Sequence, residues 1–258
     1  GISASRNKKS QRQTYSILME RAHSTLGEFL DILYAQGDSG KFTLKEQLKV
    51  LQSIAQALEA LHAQKITHKD IKDSNVLILM KKGGYEVKLA DFGISVQAKE
   101  AEEKERKGKT TTIRKERGQT SWQAPEIVLD REMRATMESD MYSFALLAWR
   151  VAHHGAPIFG SGKKVLPDSD NLVWQTYWKN PLFRPSTSES CNPAIKSIIE
   201  GCWANLYSDF ETTLVRIKGA KRLQASEVAS LITAELERLD AEPAKAKDSA
   251  GMRPGATS

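Results

Sequence analysis

Apolar residues recur at steps of three and four over several segments of this chain, a spacing that places them on one face of an α-helix. Thr25 and Thr43 each begin a capping box, because a glutamate follows each threonine by three positions. The first box predicts a helix that begins at Thr25. The second predicts a long amphipathic helix that ends near His62.

Short apolar runs without this spacing predict β-strands. Residues 76–80 and 86–90 flank a glycine-containing turn at 82–85, and this arrangement predicts a β-hairpin. A third run, residues 15–19, is also β-prone and precedes the first predicted helix.

The second half of the chain is predicted to be mainly helical. Residues 139–152 are too hydrophobic for a surface helix, so we expect this helix at the centre of the core. Residues 193–203 and 226–239 are also predicted to be helical. We expect a loop at 161–170 and a mobile loop at 99–117, where charged residues show no periodicity.

The composition is that of a globular protein: 40% of the 258 residues are hydrophobic, enough for one sizeable core. We expect one domain at residues 15–240, a basic flexible segment at 1–14 and a disordered tail at 241–258. No apolar run approaches the roughly 18 to 20 residues that cross a bilayer, so we expect no membrane span. The 2 cysteines show neither metal-ligand spacing nor a disulfide-dense pattern, so nothing requires an oxidising compartment. This favours a cytoplasmic location, or the cytosolic face of a membrane if the natural protein is longer.

The net charge of +6 raises the alternative of a nucleic-acid-binding domain. The basic residues concentrate near the start of the chain and between residues 99 and 117, however, and aromatic side chains are not interleaved with them. Solvated basic loops explain the charge better, so we do not expect a nucleic-acid partner.

The residues that carry chemistry lie on either side of the predicted hairpin. The string His68-Lys-Asp-Ile-Lys-Asp-Ser-Asn75 precedes it and Asp91-Phe-Gly93 follows it. Phosphoryl transfer needs a carboxylate that accepts the hydroxyl proton, a cation at the phosphate and oxygen ligands for magnesium. In this order, the two strings resemble those of the eukaryotic-type protein kinase superfamily.

This resemblance implies an α+β, protein kinase-like fold with a mainly helical C-lobe, short β-hairpins and an N-lobe that is mostly absent. It implies ATP and Mg²⁺ as cofactors. The catalytic residues would be Asp70 and Lys72, and the metal ligands would be Asn75 and Asp91. These two ligands and Lys72 would also contact the nucleotide.

The same resemblance identifies residues 17–22 as the strand and hinge that join the two lobes. Met19 would be the gatekeeper, the backbone of Glu20 and Ala22 would bind the adenine, and Leu77 would support the ring from below. A generic edge strand is the alternative interpretation of this segment.

Two further matches imply structural roles. Glu126, in Ala-Pro-Glu, would pair with Arg222, and Asp140 would anchor the backbone of the catalytic loop. Trp122 and the run after Ser139 look most like the tyrosine-kinase-like branch or the ER-stress kinase and endoribonuclease branch.

The chain also departs from the family pattern. No glycine-rich loop and no strand lysine precede the hinge, Lys69 replaces the commoner arginine, and Gln119 stands where threonine is usual. The segment 205–221 looks longer than is usual in the family.

The prediction that follows is an ATP-dependent protein serine/threonine kinase that lacks most of its N-lobe, since Lys72 favours Ser/Thr acceptors. Its partner would be a protein substrate with a Ser or Thr acceptor. The alternative is a pseudokinase or scaffold that binds partners without catalysis. Phosphorylation within Thr110-Thr-Thr112 could order the long loop through Lys69, although a simply solvated loop is the alternative.

Overall fold

A computed structural model describes residues 2–6, 13–37, 42–97, 119–130, 132–159, 176, 180, 183–208 and 215–249. The predicted loops at 99–117 and 161–170 lie outside these residues, as does the proposed phosphorylation segment at 110–112.

The described part of the chain is mainly helical, with small antiparallel sheets. The helices are α1 (Leu26–Gln36), α2 (Leu44–Ala63), α3 (Pro125–Leu129), α4 (Met137–Ala152), α5 (Pro193–Cys202) and α6 (Ala225–Ser249). The strands are β1 (Ile2–Arg6), β2 (Gln13–Ile17), β3 (Ser24–Thr25), β4 (Ile66–Thr67), β5 (Val76–Lys81), β6 (Gly84–Leu89), β7 (Val96–Gln97), β8 (Tyr207–Ser208) and β9 (Val215–Arg216). The sheets pair β1 with β2, β3 with β5 and β6, β4 with β7, and β8 with β9. This mixture confirms the predicted α+β class.

Both predicted capping boxes form. In α1 the Glu28 amide donates to Thr25 Oγ1 at 3.1 Å, and the Thr25 amide donates to the Glu28 carboxylate at 2.8 Å. Thr43 and Glu46 make the same exchange at the start of α2. The two helices therefore begin where local sequence satisfies their first amide groups.

The predicted hairpin is confirmed, with a tighter turn. Val76 pairs with Leu89 and Lys81 pairs with Gly84, so only residues 82–83 connect the strands. The predicted turn at 82–85 was too long. Gly83 has a φ of 94°, a conformation that glycine adopts without steric cost and that allows the shorter connection.

Several boundaries differ from the sequence-based expectation. Residues 1–14 were expected to be flexible, but the structure pairs β1 with β2. The charge pattern of a segment does not reveal which strand it pairs with. The predicted strand at 15–19 ends at Ile17. Helix α6 continues to Ser249, past the expected start of a disordered tail at 241. Alanine, lysine and glutamate in this extension are good helix formers.

Helix α4 lies at the centre of the core, as predicted. Tyr142, Phe144 and Leu146 are fully buried, and the helix packs against α2 and α5. Thr136 caps it, so it begins at Met137, two residues before the predicted start. Within the described residues, no helix has both the length and the apolar content to cross a membrane.

The pairing of Glu126 with Arg222 is also confirmed, and it is buried. Two nitrogens of the guanidinium donate to the two carboxylate oxygens at 2.7 and 3.0 Å, and the side chains are 4% and 1% exposed. The guanidinium also donates to the carbonyl oxygens of Ala204 and Glu138 and lies 4.9 Å from the Tyr142 ring centroid. This pair fixes α3 to the segment before α6.

We expect Glu126→Gln to lower the free energy of unfolding by about 3 to 5 kcal/mol, because it leaves the buried guanidinium of Arg222 without its counter-charge. Urea-induced unfolding followed by circular dichroism measures the loss. The control is Glu138→Gln, which breaks the exposed pair with Arg216 and should cost less than about 1 kcal/mol. Equal losses in the two variants would contradict the structural role of the buried pair.

Candidate active site

The catalytic segment, residues 68–75, connects β4 to β5 and is hydrogen-bonded to α4. Both oxygens of Asp140 accept backbone hydrogen bonds from this segment, one from the His68 amide at 2.7 Å and one from the Lys69 amide at 2.9 Å. Lys69 has a φ of 74°, so the chain turns sharply here. The predicted anchoring role of Asp140 is therefore confirmed.

His68 is fully buried and connects the catalytic segment to the residue before Asp91. Its Nε2 lies 3.1 Å from the carbonyl oxygen of Ala90, and its Nδ1 accepts the Asp70 amide at 3.3 Å. Burial lowers the pKa of His68, although nearby carboxylates oppose the shift. The neutral imidazole, with its proton on Nε2, satisfies both contacts.

The carboxylate of Asp70 is held by three donors. Lys72 Nζ lies 2.8 Å from Oδ2, Asn75 Nδ2 donates to the same oxygen at 2.8 Å, and the Gln119 amide donates to Oδ1 at 3.1 Å. Burial of Asp70 opposes ionisation, but these donors outweigh it and hold the pKa of the carboxyl below its ordinary value. Asp70 is therefore an oriented carboxylate at neutral pH.

Asn75 and Asp91 lie on the two chain segments that the hairpin brings together, since the Ala90 amide donates to the Asn75 carbonyl oxygen at 2.8 Å. The Asn75 side-chain nitrogen donates to the Asp70 backbone oxygen at 2.8 Å as well as to its carboxylate. Asn75 Oδ1 makes no hydrogen bond to another described residue and so can act as a ligand oxygen.

Asp91 is exposed, with a φ of 63°, and its Oδ1 accepts the Gly93 amide at 3.2 Å. The described residues contain no group of three or more His, Cys, Asp or Glu side chains placed to hold a metal. One amide oxygen and one carboxylate nevertheless fit Mg²⁺, which keeps several waters and takes other ligands from phosphates.

The residues that directly follow the predicted hinge run along the edge of the hairpin sheet. The His23 amide donates to the Ile78 carbonyl oxygen at 2.8 Å, and Thr25 pairs with Leu77, which is half-buried. Met19 is 72% exposed. The structure thus places Leu77 beside the end of the hinge and Met19 on the surface.

The side chain of Glu20 is paired with lysines of the hairpin. It forms ion pairs with Lys81 and, at 3.7 Å, with Lys88. Ala22 is half-buried, and the amide of the next residue, His23, is bonded to the hairpin. The hairpin therefore determines the course of the hinge backbone.

Two contacts in the site were not predicted from the sequence. The first is the backbone amide of Gln119, which donates to Asp70. From the sequence, Gln119 was noted only because its side chain replaces the usual threonine. The Phe92 ring packs against His68 with a centroid distance of 5.1 Å, and half of it remains exposed. A backbone donor has no residue type, so only the folded chain reveals it.

Comparison with known proteins places these residues in context. Residues 4–212 match the family described as "Protein kinase domain". The chain is 30% identical over 162 residues to serine/threonine/tyrosine-protein kinase HT1 from Arabidopsis thaliana, covering 63% of this chain and 36% of that protein. It is 27% identical over 184 residues to serine/threonine-protein kinase CTR1 from the same plant, covering 69% and 20%.

A third relative is mitogen-activated protein kinase kinase kinase 7 from Drosophila melanogaster, which is 25% identical over 202 residues, covering 77% of this chain and 26% of that protein. The chain thus spans between 20% and 36% of the length of these three proteins.

The pKa of His68 predicts how its contribution to stability depends on pH. The folded protein holds this pKa below the ordinary 6.5. As the pH falls below about 6.5, His68 therefore binds a proton more readily in the unfolded chain than in the folded one. Wild type should therefore lose stability relative to His68→Asn as the pH falls from 8 to 5.5. Urea unfolding of both proteins at each pH measures the difference, with circular dichroism confirming native structure. If the free energy of unfolding of wild type, relative to that of His68→Asn, stays constant or rises as the pH falls, the buried neutral imidazole is contradicted.

Proposed function

Since the chain belongs to the protein kinase domain family, we propose that it transfers the γ-phosphoryl group of ATP to serine or threonine hydroxyls of a protein substrate. The observation that carries this proposal is the Asp70 carboxylate, which is ionised, oriented by three donors and adjacent to Lys72. A scaffold has no physical need for such an arrangement.

The family match confirms the predicted superfamily, and the relatives support the Ser/Thr type. Of the two branches that the sequence left open, the mitogen-activated protein kinase kinase kinase and CTR1 relatives support the tyrosine-kinase-like one. HT1 carries tyrosine as well as serine and threonine in its name, so the acceptor of this chain must be tested directly.

In the proposed reaction, Asp70 orients the substrate hydroxyl and receives its proton. The hydroxyl oxygen bonds to the γ-phosphorus, the bond from phosphorus to the leaving oxygen breaks, and ADP departs. Asp70 can orient the hydroxyl because its own position is fixed through both carboxylate oxygens. Lys72 neutralises part of the negative charge between carboxylate and phosphate.

We propose that Asn75 Oδ1 and the Asp91 carboxylate hold Mg²⁺. The chemistry that the ion would supply there is partial neutralisation of the negative charge on the phosphate groups. The hinge backbone at Glu20 and Ala22 would bind the adenine, with Met19 as gatekeeper and Leu77 beneath the ring. The tether from His23 to Ile78 supports this assignment because it holds the end of the hinge against the strand that contains Leu77.

We also propose that the reaction takes place in the cytoplasm, with ATP and a Ser/Thr-containing protein as the partners. The two cysteines, Cys191 and Cys202, are free and buried. This supports a reducing compartment, where thiols do not need to pair.

We expect Asp70→Asn to lower kcat by about 10²- to 10⁴-fold, because the amide cannot accept the hydroxyl proton. The assay uses the longest natural protein that contains this chain, γ-³²P-labelled ATP and a generic Ser/Thr peptide, followed by phosphoamino acid analysis. Asp240→Asn, which removes an exposed carboxylate on α6, should retain wild-type kcat.

Three outcomes would contradict the proposal. Transfer by Asp70→Asn at the wild-type rate would exclude the catalytic role of this carboxylate. Phosphotyrosine as the sole product would exclude the Ser/Thr assignment. A wild-type protein that binds partners but transfers no phosphate would favour the scaffold alternative.

We expect Asp91→Asn to weaken ATP binding in the presence of Mg²⁺ by about tenfold, as loss of about 1.4 kcal/mol of charge interaction would produce. Binding without Mg²⁺ should change little, because the lost carboxylate acts through the metal. Titration calorimetry with and without Mg²⁺ measures both affinities, and Asp240→Asn again serves as the control. Equal weakening in the two conditions would exclude Asp91 as a magnesium ligand.

A further inference from the structure

Three segments of the fold meet around the guanidinium of Arg150, in the last turn of α4. It forms ion pairs with Asp73 of the catalytic segment and with Asp31 of α1. Its Nε also donates to the Gly155 carbonyl oxygen at 3.4 Å. We call Asp31, Asp73 and Arg150 the Arg150 cluster; none of them has a role in the chemistry proposed above.

Burial distinguishes this cluster from an ordinary surface ion pair. The side chains of Asp73 and Arg150 are 8% and 14% exposed, while that of Asp31 is 66% exposed. Burial lowers the pKa of the Arg150 guanidinium and the Asp31 carboxylate opposes this shift, yet an arginine stays charged at neutral pH. Loss of Arg150 would therefore leave the buried Asp73 carboxylate without its counter-charge.

The backbone of α1 confines the Asp73 carboxylate on another side. A Cβ placed on Gly27, in the first turn of α1, would lie 3.1 Å from Asp73 Cγ and Oδ1. A larger residue at this position would push against the carboxylate. The close approach also brings the carboxylate to the amino-terminal end of a helix, where negative charge is stabilised.

Asp73 is linked to the reacting groups through one short turn. It begins the 3₁₀ turn Asp73–Asn75, and its carbonyl oxygen accepts the Val76 amide. At the other end of the turn, Asn75 donates to the Asp70 backbone and carboxylate, each at 2.8 Å. A displacement of Asp73 would thus be passed to the amide that orients Asp70.

We propose that Arg150 is a positioning residue for phosphoryl transfer: by holding Asp73 against α1, it fixes the turn that aims the Asn75 amide at Asp70. This inference rests on the proposed kinase function. Arg150 acts through Asp73 and Asn75 and does not itself contact the substrate.

The test compares Arg150→Met and Arg150→Lys with Arg216→Met in the full-length protein. Arg216 is also paired with a carboxylate: it donates to both oxygens of Glu138, at 2.8 and 2.9 Å, but on an exposed surface. We expect Arg150→Met to lower kcat by about tenfold or more, with KM for ATP and peptide unchanged within about twofold. Arg150→Lys, which keeps the charge, should recover part of the loss, and Arg216→Met should match wild type.

A second readout does not depend on activity. The side-chain amide resonance of Asn75, identified in asparagine-labelled protein by its loss in Asn75→Asp, reports the hydrogen bond to Asp70. Arg150→Met should shift this resonance, while Arg216→Met should leave it in place. An unmoved resonance, or a fall in kcat no larger than the fall in folded protein, would overturn the proposal.

The two readouts separate this proposal from the proposed function. If the wild-type protein transfers no phosphate, the kinase proposal fails, and the Asn75 resonance still shows whether Arg150 positions the turn. If Arg150→Met does not fold, Asp31→Asn takes its place, because Asp31 is the exposed partner of the cluster. Asp31→Asn should also move the Asn75 resonance away from its wild-type position, and no shift would overturn the proposal.

Discussion

The arrangement of the site depends on one buried carboxylate, that of Asp140. It is 1% exposed, lies in the first turn of α4 and accepts two backbone amides from the catalytic segment. His62 contributes a further contact at 3.1 Å. These donors, together with the helix amino terminus, compensate for the loss of water around the charge. Removing the carboxylate would release the turn at Lys69, and with it the position of Asp70.

Other buried charges repeat this principle around α4. The pair of Glu126 and Arg222 connects α3 to the segment before α6. Arg150 connects the end of α4 to Asp73 of the catalytic segment. In each case, an ionic contact near the apolar helix α4 determines the path of a neighbouring segment that is neither helix nor strand. Apolar packing alone is non-directional, whereas a bidentate ion pair or an amide hydrogen bond fixes position and orientation. The loops that carry the chemistry are positioned by polar contacts for this reason.

The candidate site consists of a buried, hydrogen-bonded half and a more exposed half. His68, Asp70 and Asn75 are buried and connected by several hydrogen bonds. Asp91 and Phe92, which follow the hairpin along the chain, are exposed. A preoriented carboxylate next to the accessible oxygens that we propose as metal ligands suits a reaction whose catalysis is mostly placement and charge stabilisation. The Gln119 amide adds a connection from Asp70 to the segment that leads into α3.

By itself, the sequence determined the elements whose cause is local. The boxes at Thr25 and Thr43, the hairpin and the apolar helix α4 follow from residue spacing and capping, and the structure contains all of them. The family resemblance also led correctly to the contacts of Asp140 and to the pair of Glu126 and Arg222. These residues belong to motifs whose order along the chain carries the information.

Only the tertiary structure decided the features that depend on distant partners or on backbone atoms. The pairing of β1 with β2 and the extension of α6 were not expected from sequence. The Gln119 amide at Asp70 and the neutral form of His68 arise from groups that folding brings together. The Arg150 cluster joins residues from three separate segments, and no local pattern marks Asp73 as the partner of an arginine in α4. Side-chain spacing encodes which face of an element is buried, but the path of a loop determines which charges meet.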